Sequence, residues 1–207
     1  AFVTQIMGFD SAIAFMGWAP VFFNLLYLGP LWMIFSAATT DKRLVVLGVW
    51  FFYLANWIGQ DYLAPQAFNY FFFLTIVAVI LTYLRGPAWQ PEPVVRRIRN
   101  FSPLTNRLVS KVEVWVQGEE QPVAPSTPGQ RAAAVGIIMI IFIAMVSSHQ
   151  LTPFATLAAL GALIFFNRCT ALTLPLMLGV LAAIVMTVTI AAQELERDRS
   201  KIPDKYK

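Results

Sequence analysis

The chain holds almost none of the residues on which most site chemistry is built. A single cysteine, Cys169, excludes an internal disulfide and any cysteine-based metal cluster, and near a helix end it reads as a small packing residue. A single histidine, His149, makes no metal site by itself, although a carboxylate pair would complete one. The sequence has no phosphate-cradling glycine loop, no HExxH pair and no nucleophile elbow. It has no nucleic-acid-binding motif either, so the net charge of +4 is not read as a sign of a nucleic-acid partner. No basic stretch with a short apolar core and a small-residue cleavage site opens the chain. The first residue is Ala1, in what reads as the loop before a membrane helix, and truncation is the favoured account of that start. Charged residues are scarce as well, at 13%.

What fills the chain instead is apolar. Hydrophobic residues make up 58% and aromatic residues 14% of the 207, with a mean hydropathy of +0.65. That is more apolar surface than a soluble domain of this length can bury. The expected fold class is an all-α polytopic membrane protein with six transmembrane helices, at 12–38, 44–60, 67–84, 132–148, 151–166 and 171–192. A span needs about 20 residues to cross a ~30 Å hydrocarbon core. The run at 151–166 is short and reads as a thin or re-entrant helix, and its Ala155, Ala158, Ala159, Gly161 and Ala162 would let a neighbouring backbone approach closely. Pro20 and Pro30 interrupt the first run, which is therefore expected to pack against other helices and to kink near Gly29-Pro30. Trp50, Tyr53 and Trp57 include candidate interface anchors.

Four regions result. Residues 1–84 form a first three-helix membrane half, and 132–192 a second. Between them, 85–131 is a Pro-rich basic loop, and 193–207 is a charged tail that starts helical and breaks at Pro203. Within the loop, Phe101, Leu104, Leu108, Val112 and Trp115 recur every three or four residues beside Arg107 and Lys111. That spacing suits an interfacial amphipathic helix, and 112–116 suits a short strand equally well. Residues 118–129 read as a flexible linker.

Lysine and arginine set the orientation. Lys42 and Arg43 lie in one loop, Arg85, Arg96, Arg97, Arg99, Arg107, Lys111 and Arg131 in another, and Arg168 in a third. Residues 1–11, 59–66 and 147–153 carry none. Six alternating spans place the basic loops in the cytoplasm and the other segments outside it, without a violation. The basic loops also attract anionic lipid headgroups.

Two polar islands fall on the outer side. The first is Asn56-Trp57-Ile58-Gly59-Gln60-Asp61-Tyr62-Leu63-Ala64-Pro65-Gln66, and the second is Ser147-Ser148-His149-Gln150-Leu151-Thr152-Pro153. Asp61 is the leading ionisable candidate, as a base or as an acceptor from a substrate hydroxyl. At a helix end beside Gly59 and Pro65 it sits near the interface at little cost, so a helix-capping role is the competing reading. Asn56 and Gln60, four apart on a helical face, would bond a polyol or a neighbouring helix. Tyr62 and Gln66 add donors and acceptors to the same rim, and Gln150 adds an amide to the second. His149 would bind a phosphate, shuttle a proton or bond a loop carbonyl. Asp10, ahead of the first span, is the third ionisable group on that side.

These segments, together with Trp18-Ala19-Pro20-Val21-Phe22-Phe23-Asn24, resemble large multi-pass membrane proteins of actinobacteria and related bacteria that are similar to the GT-C glycosyltransferase superfamily. The resemblance covers roughly residues 9–190. It implies a bacterial plasma-membrane protein that uses polyprenyl-phosphate sugars at the outer face, with a divalent cation admissible. GT-C enzymes are longer and carry an essential acidic residue in an early external loop, a part that only Asp10 or Asp61 would fill here. On this reading Asp61 accepts the acceptor's proton, His149 contacts phosphate, and Asn56, Gln60 and Gln66 orient the sugar. The alternative is a non-catalytic membrane subunit that packs against other membrane subunits. A transporter is disfavoured because no charged residue lies mid-span.

Overall fold

The computed structural model describes residues 16–55, 64–85, 126–148, 151–166 and 168–200. These form six helices in chain order: α1 (Ala19–Ala38), α2 (Lys42–Ala55), α3 (Pro65–Tyr83), α4 (Pro128–Ser148), α5 (Thr152–Phe165) and α6 (Leu174–Ser200). There is no strand among the described residues. Four helices are long and apolar enough to cross a membrane: α1, α3, α4 and the Leu174–Leu195 part of α6. With 14 residues each, α2 and α5 rise about 21 Å, short of a ~30 Å core. The short α5 agrees with the thin helix expected at 151–166. The sequence run that contains α2 continues into 56–60, which lies outside the described residues, as do the candidate amphipathic segment at 101–115 and most of the 85–131 loop.

Local chemistry explains where the helices start. Pro20, Pro65, Pro128 and Pro153 each stand in the first turn of a helix, where the missing N–H costs no bond and the fixed φ already suits the helix. Pro20 therefore begins α1 rather than interrupting it, while Pro30 lies inside α1 and is buried. At the start of α4 the Thr127 amide donates to Gln130 Oε1 at 2.9 Å, and the Gln130 amide donates to Thr127 Oγ1 at 3.3 Å. This reciprocal capping box starts the helix at Pro128, so it takes in the end of the expected 118–129 linker. Asp41 caps α2 by accepting the Arg43 amide at 2.8 Å.

Packing follows stripes at helical spacing. Ala19, Phe23, Tyr27 and Leu31 are the buried apolar face of α1, and Leu174, Leu178 and Ala182 that of α6. The central helix is α3, which packs against α1, α4 and α5 and joins two apolar clusters, one with α1 and α2 and one with α4, α5 and α6. In the first cluster aromatic rings meet edge to face, Phe23 on Phe68 at 4.8 Å and Tyr27 on Tyr70 at 5.4 Å.

Helices α1 and α2 meet tightly at Gly48, where an added Cβ would come within 2.7 Å of the Phe35 ring. By contrast, Ala155, Ala158, Gly161 and Ala162 of α5 are exposed, and a Cβ on Gly161 would meet nothing within 4 Å. The expected small-residue packing face is thus corrected: α5 packs through Pro153, Thr156 and Leu160. Gly48→Ala is expected to destabilise by about 1–3 kcal/mol through overpacking against Phe35, and Gly48→Leu by more. Unfolding in a denaturing detergent titration measures both. Wild-type midpoints would mean that the Phe35 ring swings aside freely.

Candidate functional site

Hydrogen bonds at the helix ends sort the bundle into two poles. At one pole the Arg85 guanidinium donates to the Ala37 carbonyl, and the Thr170 amide and hydroxyl donate to the Leu84 carbonyl at 2.8 and 3.0 Å. The end of α1, the start of α2, the end of α3 and the α5–α6 turn therefore meet there, and with them Lys42, Arg43, Arg85 and Arg168. Cys169 is buried beside this turn. Burial pushes its thiol above the ordinary range, with a backbone bond from Ala171 pulling weakly the other way.

At the opposite pole Asn69, fully buried in the second turn of α3, meets Ser148, the last residue of α4. Its amide donates to Ser148 Oγ at 2.9 Å and to the Pro65 carbonyl at 2.7 Å, so both amide hydrogens are used. The Ser148 hydroxyl lies 2.7 Å from the Ala144 carbonyl and 3.1 Å from Asn69 Oδ1, either of which takes its one proton. A buried amide is tolerable in an apolar bundle only when it is satisfied in this way. Thr156, also buried, bonds back within α5 to Thr152 O at 2.9 Å and meets α4 with its hydroxyl 3.2 Å from Met145 Sδ. On the other flank Phe52 of α2 stacks on Tyr70 of α3 with centroids 6.3 Å apart. The Tyr27 hydroxyl donates to the Ala67 carbonyl at 3.1 Å. The chain positions that bracket the two islands, Ala55 with Ala64 and Ser148 with Leu151, thus belong to one pole, opposite the basic one.

A groove of about 700 Å³ opens at this pole between the end of α4, the start of α5 and the 186–193 stretch of α6. Ser147, Ser148, Thr189 and Gln193 give it a polar side, and Val146, Leu151, Met186 and Ile190 an apolar one. The hydroxyls of Ser147 and Thr189 bond back to Ile143 and Val185 of their own helices, at 2.9 and 2.8 Å. Their remaining lone pairs point acceptors, not charges, at an occupant. Asn69 holds one wall through Ser148.

Of the residues picked from sequence, Gln66 is described: it is half-buried in the first turn of α3 and does not line the groove. Asp10, Asn56, Gln60, Asp61, Tyr62, His149 and Gln150 lie outside the described residues. Sequence reading passed over Asn69, Thr189 and Gln193. The last two carried a signal, since polar residues four apart in an apolar run mark one helix face, the face that Met186 and Ile190 share. Among the described residues no group of three or more His, Cys, Asp or Glu is placed to hold a metal ion. No protein-family model, no curated protein and no solved structure matches the chain.

Proposed function

We propose that this is a six-span, glycosyltransferase-like protein of a bacterial plasma membrane that takes the head of a polyprenyl-phosphate sugar at its extracytoplasmic face. The observation that carries the reading is the groove between α4, α5 and α6. It is bordered by Ser148 and Leu151, the residues on either side of His149 and Gln150, and it pairs a hydroxyl-and-amide side with an apolar side. Its volume of about 700 Å³ is within the usual range for small-molecule sites, and its two-sided lining suits an amphiphile with a polyol head. In this proposal α2 and α5 complete the six spans, the basic pole is cytoplasmic, and Asp61 takes the proton of the acceptor hydroxyl as the glycosidic bond forms. His149 meets the phosphate leaving group, and Asn56, Gln60, Tyr62, Gln66, Gln150 and Asp10 form the rim. A divalent cation beside the phosphate is compatible with these carboxylates.

A photoactivatable polyprenyl phosphate, cross-linked in proteoliposomes and mapped by mass spectrometry, tests the reading. Adducts are expected within 146–151 and 186–193. Adducts spread evenly over the outer faces of α1 and α2 would contradict it.

A second reading, a non-catalytic subunit, draws on α6. Leu176, Val180, Ile184 and Val188 form an exposed stripe at a spacing of four that suits a partner helix. A stoichiometric membrane partner that co-purifies and is lost in Val180→Trp/Ile184→Trp would favour it.

A further inference from the structure

We propose that the outer face of α2 is a binding site for one anionic phospholipid of the leaflet at the basic pole. A shallow groove of about 470 Å³ runs along this helix, lined by Lys42, Arg43, Val46, Leu47 and Trp50. Those positions fall on one helical face, with the two cations at one end and apolar and aromatic side chains along the rest. An amphiphile with a negative head has the same polarity from end to end. From Lys42 to Trp50 the helix rises about 12 Å, within the ~15 Å that one leaflet of hydrocarbon occupies, so head and upper acyl chain span the groove together.

Among the described residues no helix covers this face. Helix α2 packs on α1 through its buried Val45 and Val49, and turns Val46, Leu47, Trp50 and Leu54 outward. The neighbouring Asp41 turns one carboxylate oxygen to the Arg43 backbone amide at 2.8 Å, and its single negative charge leaves this end of the helix one positive charge in excess. Among the described residues neither the Lys42 ammonium nor the Arg43 guanidinium has a partner.

Native mass spectrometry of the full chain, released from nanodiscs that mix phosphatidylglycerol with phosphatidylcholine, tests this. The wild type is expected to retain one phosphatidylglycerol preferentially. Lys42→Gln/Arg43→Gln is expected to weaken that retention by about 30-fold, from roughly 5-fold per charge, and to leave phosphatidylcholine unchanged. Trp50→Ala, with both charges intact, lowers retention of phosphatidylglycerol. Arg131→Gln, an exposed cation at the same pole, leaves it as it was. Equal retention by the double variant, which a protein-covered α2 would give, overturns the proposal. So does a comparable loss in Arg131→Gln, which would mark bulk attraction to the basic pole.

Discussion

Turnover of a polyprenyl-phosphate sugar is expected to fall about 10²- to 10⁴-fold in Asp61→Asn, the range that loss of a positioned general base produces. The substitution keeps the size of the side chain and removes its capacity to take a proton. Helix content and the detergent unfolding midpoint should therefore stay at wild-type values while the chemical step slows. The comparison separates the two readings of this residue. An aspartate that only caps a helix would be replaced by an equally good cap, so Asp61→Asn would leave both stability and turnover per folded molecule unaltered, and only Asp61→Ala would cost about 0.5–2 kcal/mol. Unchanged turnover in Asp61→Asn sinks the catalytic role and moves weight to the subunit reading.

The largest effect on folding is expected at Tyr27. Its ring is fully buried between α1 and α3, meets Tyr70 edge to face at 5.4 Å, and carries a hydroxyl that donates to the Ala67 carbonyl at 3.1 Å. Ala67 stands in the first turn of α3, next to Gln66. Tyr27→Ala opens a cavity where the α1 stripe meets the central helix and is expected to cost about 3–5 kcal/mol. Tyr27→Phe keeps the packing, drops one interhelical hydrogen bond, and should cost only about 0.6–1.7 kcal/mol. Midpoints in a denaturing detergent titration give both numbers. Equal losses in the two variants would mean that the hydrogen bond, rather than the ring, holds α1 to α3.

Much of the helical pattern was legible because hydropathy reports it directly. Runs at 67–84 and 132–148 became α3 and α4 within a few residues, and the short run at 151–166 became a helix of only 14 residues. Helix starts were less legible. Pro20 reads in isolation as a helix breaker, yet it stands in the first turn of α1, where proline is favoured. The Thr127–Gln130 capping box was written in the sequence but hidden inside a stretch whose Pro and Glu content signalled a linker. Which helix sits at the centre could not be read at all, because α1, α3 and α4 are apolar all round and membrane helices lack the polar face that orients a soluble one. The packing role of Gly48 depends on the position of Phe35 on another helix, and the small residues of α5 looked equally suited to that task.

The site was legible in part. Both islands were found from polar residues interrupting apolar runs, and the described residues that bracket them lie at one pole, joined by the Asn69–Ser148 bond of 2.9 Å. Asn69 itself was hidden because a lone asparagine in an aromatic run carries no mark of its partner 79 residues away. Gln193 stood too close to the charged tail to be distinguished from it.

Convergence of the two islands on one site is tested most directly by disulfide cross-linking of Asp61→Cys with His149→Cys in a Cys169→Ser background. The native thiol is buried, and its removal leaves the introduced pair as the only reactive partners. Rapid, near-complete cross-linking in the membrane, blocked by a bound polyprenyl phosphate, is the result expected if Asp61 and His149 face one headgroup. No cross-link between 61 and 149 under conditions that join a 69–148 cysteine pair would contradict it.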